Sequence, residues 1–107
     1  MEDRLLETPR LIIRAFRPED LTTIHRILEQ TFGDGAKLAD EAALHERAEW
    51  LAWSRLNHVW FPRMGQAPYG DRAVVLKSTN ELIGSVGYVP LLGPFEQIPG
   101  LGAATAV

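Results

Sequence analysis

Leu6-Glu7-Thr8-Pro9-Arg10-Leu11-Ile12-Ile13-Arg14-Ala15-Phe16-Arg17-Pro18-Glu19-Asp20 is a short apolar strand that runs straight into a helix start. Residues 10–17 read as the strand, with Leu11, Ile13 and Ala15 on one face and Ile12, Arg14 and Phe16 on the other. Both faces are largely apolar, which predicts a position inside a sheet covered on both sides. Pro18 suits a first helical turn, where an N–H has no intrahelical acceptor. Glu19 and Asp20 put negative charge at the positive end of the helix dipole. Leu21, Ile24, Ile27, Leu28 and Thr31 or Phe32 then form a stripe at helical spacing, and Gly33-Asp34-Gly35 ends the helix.

Working outward, Asp40 caps a second helix over residues 41 to about 57. Its expected core face is Leu44, Ala48, Leu51, Ala52 and Leu56, widened by Trp50 and Trp53, with Glu46, Glu49 and Arg55 solvated. Pro62, Gly65, Pro68 and Gly70 mark a loop. Residues 72–77 and 82–89 read as the two strands of an antiparallel hairpin, with Ala73, Val74, Val75 and Leu76 buried. Gly84 and Gly87 within the second strand predict a bulge or a close approach to the backbone. The expected fold class is α+β, in the order strand-helix-helix-strand-strand, with the helices packed on the sheet. Residues 1–90 form the folded part. Residues 91–107, rich in Gly and Pro, read as a loop or disordered tail.

Composition limits the function classes. A chain of 107 residues with 46% hydrophobic and 23% charged residues suits one globular domain. Its formal charge of −3 argues against nonspecific nucleic-acid binding. The absence of cysteine excludes disulfides, thiolate metal sites and a cysteine nucleophile. No apolar run reaches the roughly 20 residues of a membrane span. Glu2 and Asp3 do not make the basic start of a signal peptide, so a cytoplasmic location is expected. Of the three histidines, His45 shares a helix face with Glu49 but lacks a third ligand, which reads as a solvated pair. His25 reads as a surface or boundary residue. No metal site is expected.

The Thr8-Pro9-Arg10-Leu11 opening and the Glu81-Leu82-Ile83-Gly84-Ser85-Val86-Gly87 strand, in this order, resemble the N-terminal portion of the GNAT N-acetyltransferase family. The similarity spans about residues 6–89 and points to the branch that acetylates protein N-termini or small amines. It implies acetyl-CoA as cosubstrate and an amine acceptor, either a protein N-terminus or a small molecule. It also implies acceptor-binding positions at Phe32, Asp34, Trp60 and Tyr88. Each has a plainer alternative: a helix C-cap and turn for Phe32 and Asp34, core for Trp60, a sheet position for Tyr88. In the family a Gln/Arg-x-x-Gly-x-Gly/Ala loop at a helix N-terminus holds the pyrophosphate. Gln97-Ile98-Pro99-Gly100-Leu101-Gly102 fits that pattern, making Gln97, Gly100 and Gly102 cofactor-binding candidates, although Pro99 removes one donor. No residue is assigned a catalytic role. The resemblance further implies that a fourth strand and its helix lie beyond Val107. The chain then reads as a truncated portion, inactive alone, whose open sheet edge favours self-association or a complementary C-terminal half. The alternative is a non-catalytic acetyltransferase-like module that oligomerises or binds a protein through that edge.

Overall fold

The computed structural model describes residues 3–89. The candidates Gln97, Gly100 and Gly102 and the expected tail lie outside them. The fold is α+β, a four-stranded antiparallel sheet with two helices. In chain order the elements are β1 (Arg4–Glu7), β2 (Leu11–Arg14), a 3-10 turn (Pro18–Asp20), α1 (Leu21–Phe32), α2 (Glu41–Arg63), β3 (Gly70–Leu76) and β4 (Glu81–Tyr88). Spatial order follows chain order, β1-β2-β3-β4. Among the described residues no helix is long and apolar enough to cross a membrane.

The expected element order therefore needs a correction, because β1 precedes the opening strand. Thr8-Pro9 is the turn of a hairpin. The Thr8 N–H donates to the Leu11 carbonyl at 2.9 Å, and Thr8 Oγ1 accepts from Leu11 N at 2.9 Å. Leu6 pairs with Ile13 and Glu7 with Ile12. The strand also stops at Arg14 because Asp20 captures the chain that follows. Its carboxylate accepts from Arg17 N at 2.7 Å and from Arg14 Nη1 and Nη2 at 2.8 and 3.1 Å.

The helices pack on one sheet face. Phe16, Ile24, Leu51 and Ala73 form the buried cluster, with Leu21, Leu28, Trp50 and Leu82 against it. Burying an apolar side chain of this size stabilises by roughly 1.5–3 kcal/mol. Phe16 and Trp50 meet with ring centroids 5.2 Å apart, inclined by 58°. On the other face Leu6, Val86 and Tyr88 are exposed, so cover on both sides is not seen among the described residues.

α2 runs to Arg63, past the expected end. Pro62 sits in its last turn, where it forfeits one hydrogen bond, and the helix closes as Met64 N reaches the Trp60 carbonyl at 3.0 Å. Its buried face is also rotated from the expected one. Leu51, Ser54 and Asn57 are buried, whereas Leu56 and Trp53 are exposed, Trp53 by 53%. The apolar residues of α2 are spread around its circumference, so spacing alone selected no face. Close packing did: a Cβ on Gly70 would stand 2.8 Å from Asn57 Nδ2, and Gly70 holds φ +100°, a conformation glycine tolerates. Gly87 is the anticipated close approach, since a Cβ there would collide with the Gly70 carbonyl and Asp71. The β3–β4 register shifts between Val74 and Val75, opposite the Leu82–Gly84 stretch.

Candidate functional site

A broad concavity opens where α1 ends. Gly33 N donates back to the Glu29 carbonyl at 3.0 Å and closes the helix. Asp34 then folds the chain over, its Oδ1 accepting from Ala36 N at 2.9 Å, and Gly35 turns it with φ +83°. Between this loop and the sheet lies a cleft of about 680 Å³. Leu28, Glu29 and Phe32 of α1, Asp34 and Lys37 of the loop, and Arg47 and Trp50 of α2 form its walls. Asp71 of β3 and Ser85 of β4 are its sheet side. The volume is that of a small-molecule site.

The sheet places the two polar groups by register. Ala73 opposes Ser85 and Asp71 opposes Gly87, so Asp71, Ala73 and Ser85 share the helix-covered face. The period-2 pattern carries this signal, but a strand taken to begin at Arg72 leaves Asp71 out. No hydrogen bond or ion pair among the described residues engages the Asp71 carboxylate or the Ser85 hydroxyl. Two of the other wall charges are committed to each other. Arg47 Nη2 pairs with Glu29 at 3.1 Å, its Nε points at His25 Nδ1 at 3.5 Å, and its guanidinium lies 5.4 Å from the Trp50 ring centre. The Glu29–Arg47 part of the wall is thus braced, and Asp34, Lys37 and Asp71 are the lining charges that form no ion pair among the described residues.

Of the four acceptor-site candidates, the structure brings two to this cleft. Phe32, 84% exposed, forms the rim, and Asp34 is both turn and wall. Trp60 is an exposed residue near the end of α2, stacked under Arg63 at 5.0 Å, and does not reach the cleft. Tyr88 lies on the opposite sheet face, beside Val86 and Leu6. His45 and Glu49 form the exposed i, i+4 pair at 3.0 Å. His25 departs from expectation. It is 3% exposed, because Arg47 of α2 closes over the side of α1 that carries it, a seam that one helix's sequence does not reveal. Among the described residues no group of three or more His, Asp or Glu side chains is arranged to hold a metal ion. No family model matches the chain, and neither a curated protein nor a solved structure matches it significantly.

Proposed function

We propose that the chain forms the acceptor side of an N-acetyltransferase of the GNAT type, with the cleft between α1, α2 and the sheet as the amine site and acetyl-CoA as the cosubstrate. The observation that carries the reading is Asp71 beside Ser85 in the cleft, a carboxylate that no side chain among the described residues hydrogen-bonds, under a wall of Phe32, Asp34 and Trp50. An ammonium near such a carboxylate is attracted by about 4 kcal/mol at 4 Å in a surface-like dielectric, before desolvation is subtracted. Attack on a thioester needs the neutral amine, so a proton must leave first, and a carboxylate within hydrogen-bond reach is suited to take it. The Ser85 hydroxyl can accept from the amine and fix its direction. Acetyl-CoA supplies the acyl group. The residues named here hold, orient and deprotonate the amine. The absence of cysteine suits a reducing compartment, and a cytoplasmic setting belongs to the same proposal.

Thermal unfolding with ligands tests this. Primary amines and acetyl-CoA each raise Tm saturably if they bind the folded chain, and Asp71→Asn abolishes the amine response. No response to either ligand would remove the reading.

A second reading has its own observation. Among the described residues β4 pairs with β3 on one side only, and Ile83, Val86, Tyr88 and Val89 on or beside it are exposed. Such an edge is a template for another strand, which suits a module that works by association. Light scattering distinguishes it, since a chain that stays monomeric as concentration rises does not use that edge on itself.

A further inference from the structure

α2 buries one side, with Leu51, Ser54 and Asn57, and leaves an apolar seam uncovered on another. Trp53, Leu56 and Trp60 are each more than half exposed, and Met64, just past the helix end, is exposed as well. Residues three and four apart lie in line along a helix. Trp53 and Trp60 are also seven residues apart, and Glu49 and Arg63 each stand seven from Leu56. Seven residues are close to two turns, so all five share one face. Alternating spacings of three and four along such a face are the pattern by which one helix packs on another. Large apolar side chains grouped in the open mark an interaction surface. The seam is apolar in the middle and oppositely charged at its ends. Glu46 and Glu49 precede it and Arg63 closes it. Neither Glu46, Arg55 nor Arg63 enters an ion pair among the described residues, and Glu49 meets only the His45 ring, at 3.0 Å. Arg63 lies over the Trp60 ring, which keeps its charge at the seam.

We infer that this seam docks a second copy of the chain, α2 against α2 and antiparallel, with Leu56 on the two-fold axis. The charges choose both occupant and direction. Parallel helices would set Glu46 and Glu49 against their own copies and Arg63 against Arg63, which is repulsive at both ends. Antiparallel helices bring Glu49 level with Arg63 of the other copy, because both stand seven residues from Leu56. The two-fold axis makes that pair twice. Between the two pairs the tryptophans of one copy face those of the other across Leu56. The seam is narrower than the roughly 800 Å² per partner of a standard interface, so the dimer dissociates on dilution. This surface is separate from the free side of β4, and it stands whether or not the cleft takes an amine.

The experiment is sedimentation velocity of the full chain over a concentration series, with the Tm of each variant at the dilute end as the check on folding. The parent is expected to pass reversibly from monomer to dimer as concentration rises. Leu56→Lys sets two ammonium groups together on the axis, and is expected to stay monomeric with the dilute Tm of the parent, since Leu56 is exposed. Glu49→Lys and Arg63→Glu are each expected to weaken the dimer several-fold, and the two combined to restore it, because the pair is then re-formed with its signs exchanged. Ile83→Lys, on β4, is expected to leave the dimer unchanged. A parent chain that remains monomeric at millimolar concentration overturns the proposal. So does a dimer that survives Leu56→Lys, or a double charge variant no tighter than the single ones. Loss of the dimer in Ile83→Lys would assign association to the sheet edge and overturn it as well.

Discussion

Among single residues, the pair Arg14–Asp20 organises the start of the fold. Both side chains are about nine-tenths buried and doubly hydrogen-bonded. Removing one partner strands the other, which costs about 3–5 kcal/mol. Asp20→Ala is accordingly expected to lower unfolding stability by that amount in a denaturant titration. Arg17→Ala breaks only the surface pair with Asp3 at 2.8 Å and should cost less than about 1 kcal/mol. Asp3 and Glu7 set a pH dependence. The Arg17 hydrogen bond holds the Asp3 carboxyl below its usual value against the opposing effect of burial, and Lys77 lowers Glu7. A carboxyl with a lower pKa when folded adds stability above its unfolded pKa and loses it as pH falls through the folded one. Stability should therefore decline below about pH 4.5, and less steeply in the Asp3→Asn, Glu7→Gln double variant, as followed by urea titrations at stepped pH. At this scale Arg14 and Asp20 were legible as residue types but not as partners. Charge at a helix start is ordinarily solvated, and only the turn at Arg17 reveals that Asp20 faces inward.

Among elements, α1, β3 and β4 follow their sequence patterns closely, because periodicity and breakers agree there. β1 did not announce itself, since four residues followed at once by Thr-Pro carry little periodicity and their partner strand lies across a three-residue turn. The buried face of α2 was hidden for a different reason. Its tryptophans and leucines encircle the helix, and the close approach is made by Asn57 over Gly70, with Ser54 buried on the same stretch. Two substitutions separate the faces. Leu51→Ala should destabilise by about 2–5 kcal/mol, as for a buried leucine. Trp53→Gln should stay within about 0.5 kcal/mol, since Trp53 is exposed. Gly87→Ala should cost about 1–3 kcal/mol by forcing β4 from β3. All three are read from the same chemical-denaturation curves.

For the molecule as a whole, the sheet has one face under helices and one face bearing exposed Leu6, Val86 and Tyr88. The candidate site was half legible. Phe32 and Asp34, named through the family resemblance, line the cleft because the Gly33-Asp34-Gly35 loop forms one of its walls. Asp71 was missed because the strand was started at Arg72, two residues late, and Ser85 because it was read only as a strand position. Trp60 and Tyr88 were named through the same resemblance, but Trp60 stands exposed near the end of α2 and register puts Tyr88 on the other sheet face. The most direct test of the account is amide chemical-shift mapping of the isotopically labelled chain titrated with a small primary amine. The account predicts saturable shifts centred on residues 32–37, Asp71 and Ser85, and their loss in Asp71→Asn. Shifts centred on Trp60 and Tyr88, or no saturable shift at all, would contradict it.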